Sequence, residues 1–354
     1  MIRLFDPILP DVELIKSSVD EIFSTGQLTN FGKYCCLFEE KVREFVGCKY
    51  VISTPSCDTA LKMCVYALGM KKIVIPTFTF NSTWMASEWN AGMFFLSDID
   101  SETLLIDLNT IENYAKKGWT DFILVNVFGN MYDIDSLNFL KNKYNLNILF
   151  DSAHSFGSTY KDIKSGNLGY TECFSFSATK VITSGEGGMI CTNDFALYEK
   201  LKYIRNYGFQ GDYNSIYRGC NGKMSEMNAI VGYHSMNIFE DVLIKKRNVV
   251  LSLKEKLKNK FRFQKITSGV QSCYKDFILL EVDYPCLSKV FQDKQIPHKR
   301  YFLPLHKQDE IRRYMQDASF PNAEKVYNSS VCIPAHAKLT TEEVEKICTT
   351  LNNI

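Results

Sequence analysis

Lys180 is where chemistry is easiest to read in this chain. Phe174-Ser175-Phe176-Ser177-Ala178-Thr179-Lys180 runs from a short apolar strand through a hydroxyl residue to a lysine, and the glycine-rich turn Ser184-Gly185-Glu186-Gly187-Gly188 comes next. A lysine amine attacks an aldehyde only after losing its proton. Apolar neighbours and close backbone favour that loss, because desolvation disfavours the ammonium. The arrangement suits a lysine that holds pyridoxal phosphate as a Schiff base. A surface lysine ahead of a flexible loop has the same local pattern.

Four other segments carry candidate groups. Leu149-Phe150-Asp151-Ser152-Ala153-His154 is an apolar strand ending on an acid. A carboxylate there can keep a pyridine nitrogen protonated, so that the ring accepts electrons as a substrate loses its α-proton; it can equally be a helix cap or a metal ligand. His154 can cover or hydrogen-bond such a ring, or be an ordinary polar residue. Thr54-Pro55-Ser56-Cys57-Asp58-Thr59 joins a strand to a helix, and its free N–H groups and helix dipole suit a phosphate; a plain N-cap by Asp58 or Thr59 explains it too. Pro76-Thr77-Phe78-Thr79-Phe80 places aromatics after a strand, for stacking on a ring or for the core. Asn221 opens Asn221-Gly222-Lys223-Met224-Ser225-Glu226 as an exposed amide able to meet an anion, and Ser225 can cap the helix after it.

The elements that position these groups are short. Apolar runs at Tyr50–Ser53, Lys72–Ile75, Met93–Leu96, Phe122–Val127, Asn147–Phe150, Cys173–Phe176 and Met189–Thr192 read as strands. Helical spacing lies between many of them, as at Thr59–Leu68 and Asp135–Tyr144. The alternation predicts an α/β fold with a mainly parallel sheet covered on both faces, and ligands outside the carboxyl ends of its strands. After about residue 235 the pattern changes to a lysine-rich helix over Phe239–Lys258, a strand over Phe277–Val282, and helices over Leu287–Gln292 and Thr340–Leu351. This predicts a large domain over residues 1–235 and a smaller α+β domain over 236–354.

Composition bounds the rest. A chain of 354 residues, 45% hydrophobic and 23% charged, has room for a large core. A net charge of +1 gives no bulk field toward nucleic acid or an anionic membrane. The 12 cysteines show no CxxC pair and no zinc spacing, so no metal site is expected and a reducing cytoplasm fits best. No apolar stretch approaches the roughly 20 residues that cross a bilayer.

Taken in order, these motifs resemble the sugar aminotransferases of the DegT/DnrJ/EryC1/StrS family, over nearly the whole chain. The likeness extends to Ser24-Thr25-Gly26-Gln27-Leu28-Thr29, Leu201 to Gly208 with Arg205-Asn206, Tyr301-Phe302-Leu303-Pro304-Leu305-His306 and Leu339 to Val344. The resemblance implies the aspartate-aminotransferase fold (pyridoxal-phosphate fold type I) and pyridoxal 5'-phosphate as cofactor, cycling through pyridoxamine 5'-phosphate. It implies Lys180 as Schiff-base lysine and general base, Asp151 as partner of the ring nitrogen, and Phe80 stacked on the ring. Ser175 and the backbone of Cys57 and Asp58 are implied as the phosphate cradle. Asn221 matches a residue that reaches the phosphate from a neighbouring subunit, which implies a homodimer. Two positions depart from the family's pattern. Asp58 stands where threonine is usual, and His154 stands for a glutamine that contacts the ring oxygen.

The same resemblance implies transfer of an amino group from L-glutamate to a nucleotide-linked 4-keto-6-deoxy sugar, with a dTDP sugar favoured, for surface-polysaccharide or O-antigen synthesis. Substrate contacts are expected from Thr29, Phe31, Arg218, Tyr301 and His306. A 3-keto sugar, or a UDP- or GDP-linked one, is the alternative within the family. A catalytically silent aminotransferase-like binding protein is the alternative outside it, and the retained Asp151 and Lys180 argue against that. Lys180 also separates this chain from the sugar-dehydrating branch, which has histidine there.

Overall fold

The computed structural model describes residues 2–89, 92–315 and 318–354. Seven strands form the main sheet: β1 (Tyr50–Thr54), β2 (Lys72–Pro76), β3 (Met93–Ser97), β4 (Asp121–Val125), β5 (Asn147–Asp151), β6 (Thr171–Ser175) and β7 (Gly188–Thr192). Their order across the sheet is β1-β7-β6-β5-β4-β2-β3. Neighbours from β6 to β3 pair in parallel. Only β7 runs against the rest, antiparallel to both β1 and β6. The cause is the connection. Among the described residues no helix separates β6 from β7, only the Lys180 loop, and a strand that returns without a crossover must return antiparallel.

The strands are apolar on both faces because both faces are covered. Val74, Phe122, Leu124 and Phe150 point into one core. Their neighbours Ile73, Ile75, Ile123 and Leu149 point into the other, with Cys173 and Ile190. Strand β4 stops at Val125, shorter than the apolar run through Val127 predicts. Val127–Gly129 is a tight turn instead, with Phe128 at φ 56°, in the left-handed region. Phe128 is nonetheless fully buried, so its side chain still joins the core that the apolar pattern announces.

A second, antiparallel sheet contains β8 (Arg262–Phe263), β9 (Phe277–Leu280) and β10 (Ser330–Ile333), with β9 in the middle. Leu279 and Val331 pack there with Val250 and Leu253 of the helix Phe239–Leu257 and Ile347 of the helix Thr341–Asn352. The other face is shared. Ile278, Leu280 and Cys332 join the cluster that holds Phe122 and Phe150. Tyr301 and Phe302 are carried on the segment after β9 and reach the carboxyl edge of the large sheet, where the Leu305 N–H bonds the Thr77 carbonyl at 2.8 Å. No helix among the described residues is long and apolar enough to cross a membrane.

One long-range contact fixes the helix Lys33–Val46, which has no side-chain cap of its own at Gly32. Glu226, buried at the start of the helix Glu226–Met236, fills that end. Its two carboxylate oxygens accept the N–H groups of Tyr34 (2.7 Å) and Cys35 (3.0 Å). Gly32 leaves the room: a Cβ there would stand 2.6 Å from Glu226 Cδ. Replacing Glu226 with alanine strands two buried N–H groups and should lower stability by about 1–3 kcal/mol. A urea midpoint unchanged from wild type would show that the cap contributes nothing.

Candidate active site

The carboxyl edge of the large sheet brings the chemical groups together. In register, Gly188 stands between Thr54 of β1 and Ser175 of β6. Asp151 stands between Val125 of β4 and Cys173 of β6. Cys57, Asp58, Phe80, Asp151, His154, Ser175, Lys180 and Tyr301 line a single cavity of ≈ 310 Å³ at this edge.

Lys180 rides on a loop closed at its base. Phe176 N–H bonds Gly187 O at 2.9 Å, and Ser184 N–H bonds Phe176 O at 2.8 Å. Thr183 Oγ1 reinforces the closure through Phe176 O and Gly185 N–H. Burial pushes the Lys180 amine down to about 8, and the Lys275 ammonium pushes the same way. Asp276, Cys57 and Asp151 oppose the shift. A useful fraction of Lys180 is therefore free base near neutral pH, unlike an ordinary lysine.

Asp151 is buried at the end of β5, and burial raises its carboxyl above the usual range. Oδ2 accepts the Thr83 hydroxyl at 2.7 Å, and Oδ1 accepts the Ala153 N–H at 3.2 Å. Thr83 has one proton and spends it on Asp151. Thr79 Oγ1, 2.8 Å away, must then donate to Thr83. This buried relay orients the carboxylate while leaving lone pairs toward the cavity.

His154 accepts the Phe128 N–H on Nδ1 at 3.3 Å. Burial, with help from Lys180 and Lys275, holds the ring well below its usual range, so it is neutral. A neutral ring that accepts on Nδ1 carries its proton on Nε2. His154 therefore offers the cavity a hydrogen-bond donor, as an amide would. Phe128 lies nearly parallel to it (12°), with centroids 5.7 Å apart.

Ser56 caps the helix Cys57–Ala67 by accepting the Thr59 N–H at 3.1 Å. The Cys57 and Asp58 N–H groups lie in its first turn, where intrahelical acceptors are lacking. The Asp58 side chain turns to Lys62, 2.7 Å away. Gly188 is required here, because a Cβ would meet Ser56 C at 2.5 Å and Cys57 N at 2.6 Å. Ser175 Oγ accepts the Ser177 N–H at 3.5 Å, which leaves its proton to donate. Phe80 is 61% exposed, an open aromatic face on the cavity wall.

Other expected residues lie elsewhere. His306 is buried with both nitrogens engaged, Nδ1 by Thr77 Oγ1 (2.8 Å) and Nε2 by Glu324 (3.0 Å). It joins the β2 edge to the helix Pro321–Asn328 and does not line the cavity. Thr29, Phe31, Arg218 and Asn221 are exposed and also outside the cavity lining. Arg205 covers the Phe31 ring at 4.3 Å, and Arg218 approaches Trp89 at 5.0 Å. Sequence reasoning passed over Thr83, Lys275 and Asp276. The first has a visible signal in the i, i+4 spacing of Thr79 and Thr83. Lys275-Asp276, adjacent opposite charges ahead of a fully apolar strand, is another. The two side chains are 3% exposed and bonded at 2.8 Å.

Comparison with known proteins decides the family. The DegT/DnrJ/EryC1/StrS aminotransferase family model matches residues 11–352. The chain belongs to that family. It is similar to the dTDP-4-amino-4,6-dideoxy-D-glucose transaminase of Shigella dysenteriae, 30% identical across 98% of this chain and 97% of that one. It is also similar to the GDP-perosamine synthase of Escherichia coli O157:H7, 26% identical across 99% and 98%. Among solved structures, Helicobacter pylori PseC, an aminotransferase involved in the biosynthesis of pseudoaminic acid, superposes with a TM-score of 0.90 at 24% identity, covering 99% of this chain and 98% of that one. The fold is pyridoxal-phosphate fold type I, and the protein is a pyridoxal-phosphate-dependent aminotransferase.

The residues present suit that cofactor. A desolvated amine, a buried carboxylate, an open aromatic face and a helix start approached by a side-chain-free Gly188 surround one cavity. The depressed Lys180 amine gives a pH test. Capture of pyridoxal phosphate by cofactor-free protein, monitored by absorbance, should speed up as pH rises through about 8 and level off above it. A rate still climbing steeply beyond about pH 10, as for an ordinary lysine, would contradict the burial effect.

Proposed function

We propose that this enzyme moves an amino group from L-glutamate to a nucleotide-linked 4-keto-6-deoxy sugar, with Lys180 and Asp151 as its catalytic residues. The single cavity that combines Lys180 with Asp151 carries the reading. Pyridoxal phosphate, when bound, supplies an aldehyde that takes up the amino group and a ring that accepts the electron pair left by a departing proton.

The chain's own residues do the rest. Lys180 would hold the cofactor through its amine, and the same desolvated amine, when free, would serve as the base. Its Nζ would take the α-proton of L-glutamate and deliver it to the cofactor carbon that receives the amino group, and would later move a proton the opposite way, from that carbon to the sugar carbon being aminated. Asp151, oriented by Thr83 and Ala153, holds a proton on the ring nitrogen and gains a partner for its own buried charge. His154 donates from Nε2 toward the ring oxygen. Phe80 stacks on the ring. The Cys57 and Asp58 N–H groups and the Ser175 hydroxyl hold the phosphate. The net reaction turns L-glutamate into 2-oxoglutarate and the sugar ketone into an amine, with water as the oxygen carrier.

The relative from Shigella favours a dTDP-linked 4-keto sugar, and we place the reaction in surface-glycan synthesis in the cytoplasm. Asn221, exposed and outside the cavity, fits a homodimer in which the partner subunit's Asn221 completes the phosphate site. Tyr301, on the cavity wall, is the substrate contact the geometry favours.

Incubation with L-glutamate and dTDP-, UDP- and GDP-linked keto sugars should yield an amino sugar from the dTDP substrate, read by mass and NMR. Amination of a different sugar alone would replace the substrate assignment, and no amination of any would remove the activity. Asp151→Asn should slow turnover by roughly 100-fold or more while keeping the fold. In mixtures, Lys180→Ala and Asn221→Ala chains should recover activity that neither has alone, because one shared site is then intact. Failure to recover, with both chains folded and mixed dimers present, would mean that each site is built from one chain.

A further inference from the structure

Asp58 sets a conflict at the helix start. It is the second residue of the helix Cys57–Ala67, and its own N–H belongs to the turn that offers donors to an anion. That helix end carries roughly half a positive elementary charge. A carboxylate on the same turn competes for it and repels a second anion, an effect that grows as water is excluded. Asp58 Oδ1 is enclosed and has no hydrogen-bond partner among the described residues. Asp58 also lines the cavity, where Asp151 and Glu186 stand opposite Lys180, Lys275 and Lys299.

The answer lies one turn along the same helix. Lys62 Nζ is 2.7 Å from Asp58 Oδ2, and the two side chains are 24% and 31% exposed, less open than a surface pair. The same ammonium lies 5.7 Å from the centre of the Trp89 ring. A carboxylate on one side and an aromatic face on the other fix the charge in place. Lys62 does not line the cavity and cannot be counted as a direct ligand.

We propose that Lys62 is a positioning residue of the phosphate subsite: by neutralising Asp58 from one helical turn away, it leaves the helix N-terminus free to hold the cofactor's phosphate. The inference rests on the proposed placement of the phosphate at the Cys57 and Asp58 N–H groups. It makes Asp58 and Lys62 a unit. Either side chain alone changes the charge presented to the phosphate, and losing both changes it little.

Pyridoxal supplies the control, because it has the aldehyde and ring of pyridoxal phosphate but no phosphate. Cofactor-free protein is titrated with each compound by absorbance at fixed pH and low salt, and the ratio of the two Kd values reports the phosphate subsite. Wild type should prefer pyridoxal phosphate. Lys62→Met should cut that preference on the order of tenfold, with pyridoxal binding unchanged. Asp58→Asn in the Lys62→Met background should restore it, and Lys62→Arg should keep it. An unchanged ratio in Lys62→Met would overturn the proposal. So would failure of the double variant to recover, or an equal loss for pyridoxal, which would signify a distorted helix. If wild type itself shows no preference for the phosphorylated compound, the phosphate placement falls and this inference falls with it. A phosphate preference in wild type with an unaffected Lys62→Met sinks the inference alone.

Discussion

A carboxylate almost without access to water ends the middle strand of the sheet, and the rest of the site is arranged around it. Asp151 is buried, its pKa is raised by that burial, and two hydrogen bonds hold its orientation. Such a group is costly unless a positive partner completes it. Lys180 supplies part of the compensation and is itself shifted the opposite way by the same loss of water. The two perturbed groups face one cavity, and a cationic ring nitrogen between them would relieve the acid while leaving the amine neutral. Ionisable groups driven apart in this manner mark acid and base roles.

The fold makes this arrangement by edge geometry. Parallel strands deliver their carboxyl ends to one side, and the antiparallel β7 brings Gly188 to that same side because it enters there. The short Lys180 loop is held at its base by hydrogen bonds across Phe176 and turned at Lys180, whose N–H bonds Ser177 O at 3.0 Å, while the Lys180 side chain lines the cavity. The smaller sheet adds Tyr301 and Phe302 from the opposite direction and shares a core with the larger one. The cavity wall is thus fixed by packing on two sides, which is what holding a planar ring requires.

Several of the site's working parts are positions where local rules are broken. Phe128 occupies a left-handed conformation that a bulky residue avoids, and in doing so aims its N–H at His154. Asp58 places a negative charge at a helix end expected to receive one, and Lys62 answers it. Lys275 and Asp276 bury a full ion pair close enough to act electrostatically on Lys180. Buried pairs of this type contribute little net stability, so their use is better sought in the charge they present to Lys180 than in folding.

The amino-acid sequence by itself determined the alternation of strands and helices, the lysine and acid at strand ends, and the motif order that marks the family. Those signals are local: apolar runs, glycine-rich turns and cap residues act within a few positions. The strand run from Asn147 to Phe150 and the helix from Phe239 were legible for that reason. Tertiary structure alone decided which of the expected groups meet. His306 reads as a site residue in its motif, yet is consumed by Thr77 and Glu324 from distant segments. Thr83 looks like an ordinary helix residue, yet its hydroxyl meets a carboxylate 68 positions away. The tautomer of His154 and the depressed Lys180 amine likewise arise from neighbours far along the chain. Hydrogen-bond partners and desolvation are properties of packed space, and no spacing along a single chain encodes them.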